Sequence, residues 1–183
     1  MPKVLIPLAE GFEELEAVSL IDVLRRAKIE VIVAGVGAKK IAGAHHIQIE
    51  TECLVSEVTG DELDMIVLPG GWGGTHILAE DVDVQSLLKE MDAKDKMIGA
   101  ICAAPFALKQ AGVLNQNFTC YPSVEENIRL DGYIHDSSVV IDGNVMTSRG
   151  PGTALCFGLA IVEKLIDEET AKGIRADMLA EHC

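Results

Sequence analysis

A cysteine stands at the end of an apolar run. Met97–Ile101 (MIGAI) has the make-up of a buried strand, Cys102 follows it, and Ala103-Ala104-Pro105 opens a helical pattern that continues through Leu108. Only small residues flank Cys102, as a sharp strand-to-helix bend requires. This is the layout of a nucleophile elbow, which holds a reactive atom above a sheet edge with backbone N–H groups beside it. The helix dipole and those N–H groups favour a thiolate there, lowering the thiol pKa from about 8.5 toward roughly 3.5–7.5. A thiolate is both nucleophile and oxidation target. A free cysteine is also a common small core residue, and the local residues alone leave both readings open.

Two other groups could complete a site. Glu13, Glu14 and Glu16 crowd the start of a helix, where acidic residues suit the dipole. Glu16 shares a face with Glu13, one turn further in, so its carboxyl can point toward the sheet edge. Buried beside a thiolate it would keep its proton, because two anions at contact distance repel, and it could donate a hydrogen bond to sulfur. Pro69-Gly70-Gly71-Trp72-Gly73-Gly74 carries four glycines in six residues, which lets backbone approach something closely. The N–H groups of Gly70–Gly71 with that of Ala103 could form an oxyanion hole. No G-x-x-x-x-G-K-[ST] occurs, so the glycines are not a P-loop.

The elements that must position these groups alternate. Lys3–Leu8 is an apolar strand without alternation, as expected of a strand buried on both faces. A helix follows from about Glu13 to Ala27, with Leu15, Val18, Ile21, Leu24 and Ala27 as its apolar stripe. Glu30–Val36 is a strand; Lys40 onward reads as a polar turn leading to an edge strand, His46–Glu50. Met65–Leu68 is a third buried strand, Val84–Met91 a helix, and the elbow comes next. Short strands are expected at Phe118–Tyr121 and Ser138–Ile141, and a helix at Val124–Leu130. Asp142-Gly143-Asn144 is a tight hairpin turn into Val145–Thr147. Helices Ala154–Leu165 and about Glu168–Ala180 close the chain. The order predicts an α/β sandwich with a mostly parallel sheet, in one domain over 1–183. Ligands of such folds bind beyond the carboxyl ends of the strands.

Composition narrows the partners. A formal net charge of −14 counts against nucleic acid, which needs a basic face, and against anionic membrane surfaces. No apolar run reaches the roughly 18 residues of a membrane span. Five cysteines, Cys53, Cys102, Cys120, Cys156 and Cys183, form no C-x-x-C pair, so neither a disulfide framework nor a zinc ribbon is signalled, and a reducing cytoplasm is expected. Cys156 is expected in the core, and Cys53 and Cys120 lack an activating context. His45-His46 lacks the i, i+4 spacing of a helical zinc site; His76, His135 and His182 read as surface residues. No metal is expected.

Four motifs occur in order: Leu8-Ala9-Glu10-Gly11-Phe12-Glu13-Glu14-Leu15-Glu16, Val67-Leu68-Pro69-Gly70-Gly71, Ala100-Ile101-Cys102-Ala103-Ala104-Pro105 and Thr147-Ser148-Arg149-Gly150-Pro151-Gly152-Thr153. Together they resemble the DJ-1/PfpI (ThiJ) superfamily, and its DJ-1-like branch in particular, from about residue 3 to 180. The resemblance implies a flavodoxin-like, three-layer sandwich of the class I glutamine amidotransferase-like type, usually a homodimer and working without a cofactor. It makes Cys102 the reactive cysteine and Glu16 its protonated partner. Gly71 and Ala103 become backbone donors, while Glu13, Gly70, Tyr121, Gly150 and Pro151 border the pocket. His45 falls where relatives carry an arginine that reaches the partner subunit's pocket.

The chain departs from that pattern at histidine. Tyr121-Pro122 stands where several relatives have His-Pro, and Ala103 stands where the protease-like branch has histidine. A phenol is a poor general base at neutral pH, so a Cys-His-carboxylate peptidase or amidase is disfavoured. The resemblance instead implies a cysteine-dependent enzyme on small reactive carbonyls: glyoxalase III-type conversion of methylglyoxal to lactate, or deglycation of glycated thiols and amines. The alternative is an oxidative-stress sensor or redox-regulated chaperone acting through a Cys102 sulfinate.

Overall fold

The computed structural model describes residues 1–183. Its strands are β1 (Lys3–Leu8), β2 (Glu30–Gly35), β3 (Lys40–Ala42), β4 (Gln48–Glu50), β5 (Cys53–Leu54), β6 (Met65–Leu68), β7 (Met97–Ile101), β8 (Val139–Asp142) and β9 (Val145–Ser148). Seven of them form one sheet in the order β5-β2-β1-β6-β7-β9-β8, parallel except for β8, which returns antiparallel on β9. The turn between those two strands is Gly143-Asn144, with Gly143 at φ +59°. Side chains of β1 alternate across the sheet, as strand geometry requires. Val4, Ile6 and Leu8 join a core under α1 (Glu14–Arg26), while Leu5 joins a second core on the opposite face.

The first core is closed by α1, α6 (Ala154–Leu165) and α7 (Glu168–Asp177); the second by α2 (Trp72–Glu80), α3 (Val82–Ala93) and α4 (Pro105–Ala111). The result is the three-layer, mostly parallel sandwich that the alternation of elements predicts. The carboxyl ends of β1, β6, β7 and β9 come to one edge, bringing the residues after each strand together.

Several expectations need correction. Of the expected α1 stripe, Leu24 and Ala27 are buried and Ile21 packs on the core, but Leu15 is 64% and Val18 50% exposed, and Ala17, Leu20 and Val23 complete the buried face. Steps of three residues drift about 60° backward around a helix at each step, so the two ends of that stripe face opposite ways. The segment after Lys40 is a strand, β3, which pairs with β4 in a separate hairpin. Phe118–Tyr121 makes only a bridge to Tyr133, and the expected helix at Val124–Leu130 is a single turn, α5 (Glu125–Ile128). No helix is expected between Leu68 and Val84, yet Trp72, Gly73 and Gly74 of the glycine cluster begin α2. A Cβ on Gly74 would lie 3.1 Å from the Phe12 backbone, so this helix starts pressed closely against main chain.

The cysteines hold a further correction. Cys156 and Cys183 form a disulfide, 27 residues apart in sequence with Cα atoms 5.0 Å apart, and Cys53, Cys102 and Cys120 remain free. An odd count without a motif hid one pair. Closing a loop of this length is expected to stabilise the fold by about 3 kcal/mol. Urea unfolding with and without a phosphine reductant measures it; a midpoint indifferent to reductant would remove the expectation. No helix is long and apolar enough to cross a membrane.

Candidate active site

The elbow forms as its small residues predict. Cys102 follows β7 with φ +64°, in the left-handed region, which costs a non-glycine residue roughly 1–2 kcal/mol. The surroundings impose it: Cys102 N–H donates to Ser148 O at 3.0 Å, and Tyr121 N–H donates to Cys102 O at 2.9 Å. Both groups of its backbone are therefore tied to neighbouring segments, and the sulfur is turned out of the sheet plane. Glycine at this position relieves the strain and alanine does not. The Cys102→Gly protein is accordingly expected to be more stable than Cys102→Ala by about 1 kcal/mol in urea unfolding; the reverse order would show that the bend is unstrained.

Glu16, fully buried on the inner face of α1, reaches the same point. Its Oε2 accepts the Gly70 N–H at 2.7 Å, and its Oε1 is buried without a hydrogen-bond partner. Burial is the main cause that pushes this carboxyl up, to about 7, against the opposing pull of the Gly70 N–H and the Cys102 side chain. Burial also pushes the Cys102 thiol up, and the Glu16 carboxylate beside it pushes further; the N–H groups of Gly71 and Ala103, directed at the sulfur, pull it down. The lowered thiol expected from helix position alone is thus reversed by burial and by the carboxyl. The two groups compete for charge: a thiolate is favoured only while Glu16 keeps its proton. The unpartnered Oε1 is the atom available to carry that proton.

Glycines let these parts approach. A Cβ on Gly70 would lie 2.6 Å from Cys102 Cβ and 2.7 Å from Glu16 Oε2. Gly71 has φ +85°, and a Cβ there would lie 2.5 Å from Gly11 O and 2.7 Å from Glu13 N. Glu13 N–H in turn donates to Gly70 O at 2.9 Å. The wall opposite Cys102 is therefore main chain.

Tyr121 is tied to the elbow through its backbone N–H. The Tyr121 side chain is half exposed, and its ring lies 3.1 Å from where a Gly150 Cβ would stand. Gly150 and Pro151 open a turn held by Thr153, whose Oγ1 accepts the N–H groups of Arg149 and Gly150 at 3.2 and 3.1 Å. Glu13 Oε2 lies 3.8 Å from His45 Nδ1. Glu14 is not the solvated acid that a first helical turn suggests. It is buried, accepts the His45 N–H at 2.6 Å and meets His45 Nδ1 at 2.9 Å. Burial works to raise its pKa, but the His45 contacts and other N–H donors lower it overall; His45 is raised, first by Glu14.

Sequence reasoning missed an aromatic cluster. Trp72, which opens α2, stacks on His76 at 5.0 Å, and both meet the edge of Phe106 on α4 at 5.9 and 5.8 Å. The signal was available: the only tryptophan follows Gly71 directly, and Phe106 follows Pro105 at the elbow. Cys120, beside Tyr121, is buried and pushed up to about 12, first by burial and then by Glu125.

A family model described as the DJ-1/PfpI family matches residues 2–164. Drosophila melanogaster protein dj-1beta is 39% identical over 181 residues, covering 97% of each chain, and its crystal structure superposes with a TM-score of 0.94 over 97% of both. The glutathione-independent glyoxalase DJR-1.2 of Caenorhabditis elegans is 36% identical over 172 residues, 93% of this chain and 91% of that protein. Arabidopsis thaliana protein DJ-1 homolog B is 39% identical over 95% of this chain, which spans only 40% of that longer protein.

Proposed function

Because the chain belongs to the DJ-1/PfpI family, we propose that it is an enzyme of small reactive carbonyls, converting methylglyoxal to lactate with Cys102 as nucleophile and Glu16 as proton carrier. The observation that carries this reading is the pairing of an elbow cysteine with a buried carboxyl pushed up to about 7. A group poised there both gives and takes a proton near neutral pH. The glyoxalase named above supports the reaction class.

The chemistry asks for little else. The Cys102 thiolate adds to the aldehyde carbon, forming a C–S bond, and the oxyanion faces the N–H groups of Gly71 and Ala103. Glu16 gives its proton to that oxygen, forming a hemithioacetal. As carboxylate it then removes the aldehyde-derived C–H proton and returns it to the neighbouring carbon, while the hydroxyl proton of the first carbon passes to the oxygen of the second. The first carbon is oxidised as the second is reduced, so no external electron acceptor enters. Water cleaves the resulting lactyl thioester, releasing lactate and restoring the thiol. Histidine is not required at any step, which accommodates Tyr121.

Lactate formed from methylglyoxal without glutathione is the test. Wild-type protein is expected to turn over and Cys102→Ala to be inert; equal rates in the two would overturn the reading.

A homodimer accompanies this proposal. Exposed Leu15, Val18 and Ile47 line an apolar groove of about 450 Å³ with Glu13, Glu14 and His45. A second copy covering that face would bury the apolar side chains and bring its own residues near Glu13.

A further inference from the structure

We propose that Cys156, Cys183 and His182 form a thiol–disulfide-switched site for a divalent d10 cation of the zinc class, separate from Cys102. The donor atoms of these three residues lie within 4.8 Å of one another. They border a cavity of about 390 Å³ between α6, α7 and the segment preceding β8, and Glu163 lines the same space. Two thiolates and one imidazole are a donor set that suits zinc, with a fourth position for water or the Glu163 carboxylate. Glu168 is engaged by Lys172 at 2.6 Å.

The segment that brings Cys183 and His182 to α6 is held in place. Ala180 N–H donates to Arg175 O at 3.0 Å, Cys183 N–H donates to Ala180 O at 3.1 Å, and the Arg175 guanidinium donates to Glu181 O at 3.2 Å. Cys183 also packs on the first core. A staple alone needs neither an adjacent imidazole nor a cavity beside it. The disulfide and the metal require the same two sulfurs, so each state excludes the other.

The exchange balances. A bound dithiolate loses two electrons to a peroxide, the S–S bond forms and the O–O bond breaks. Two protons are taken up, and the cation and two waters leave. A dithiol reductant reverses the sulfur chemistry by thiol–disulfide exchange, after which the cation can bind again.

The test uses the full chain carrying Cys102→Ser, so that the elbow thiol does not compete. It is reduced with a phosphine, freed of reductant without air, and titrated with zinc chloride against a chromophoric chelator. The reduced chain is expected to bind one zinc at least about 100-fold more tightly than the disulfide form. Cys183→Ser, outside any helix or strand, should abolish the tight site. His182→Ala should weaken it roughly 10-fold or more. Peroxide should release the zinc while mass spectrometry of a digest recovers the 156–183 cross-link. Equal zinc affinity in the two redox forms would overturn the proposal, as would tight binding that survives Cys183→Ser.

Discussion

Glutamine at position 16 is expected to slow lactate formation roughly 10²- to 10⁴-fold, the range for loss of a positioned acid–base group, while leaving the protein folded. The amide matches the carboxyl in shape, and its oxygen can accept the Gly70 N–H as Oε2 does at 2.7 Å. It cannot carry a proton between carbon and oxygen. A rate within about threefold of wild type would remove Glu16 from the proposed mechanism. The same variant has a signature in stability. Glu16 titrates at about 7 when folded, against 4.5 as its ordinary value. Below 4.5 it is protonated whether folded or unfolded, and its full contribution is present. Between 4.5 and about 7 the unfolded chain gives up the proton and the folded chain retains it, so stability falls as pH rises. The fall amounts to about 3 kcal/mol and is complete above 7. Glu16→Gln lacks that slope. Urea unfolding of both proteins at pH 4.5 and 8 reads the difference directly, and parallel pH profiles would mean that the carboxyl titrates normally.

Alanine at Gly70 is expected to cost about 2–3 kcal/mol of stability and at least ~100-fold in rate. The added methyl would meet Cys102 Cβ at 2.6 Å, Glu16 Oε2 at 2.7 Å and Ile101 O at 2.9 Å. Two of these belong to the elbow, whose backbone is fixed by Ser148 and Tyr121, so it cannot yield without moving the sulfur. Gly173→Ala is the control. It lies in α7 with nothing within 4 Å of the added Cβ, and should stabilise by roughly 0.5–1 kcal/mol. Thermal or urea unfolding and the lactate assay separate the two effects. If Gly70→Ala behaves like Gly173→Ala, the main-chain wall is more pliable than its contacts indicate.

What could be read beforehand follows physical lines. β1, β6 and β7 are legible because strands buried on both faces read as unbroken apolar runs. The elbow is legible because only small residues tolerate that bend, and Glu16 because a carboxyl one turn into α1 must face either water or the sheet edge. Burial magnitude was not legible. It is what pushes Cys102 up where position alone predicted a fall, and what turns Glu14 from a solvated acid into the partner of His45. The first half of the α1 stripe failed because apolar spacing does not distinguish a core face from a face left exposed, as Leu15 and Val18 are. The Cys156–Cys183 bond is a contact across the fold, and no spacing of cysteines encodes it.

The main-chain wall bears on how such a site can change over evolutionary time. A Cβ at Gly70 or Gly71 would meet buried groups or backbone at 2.6 and 2.5 Å, so few single substitutions there are viable. Trp72, His76, Phe106 and Tyr121 instead retain exposed surface, and a changed side chain there meets no such wall. Change is thereby steered toward side chains that have space around them, while the glycines beside Cys102 stay fixed.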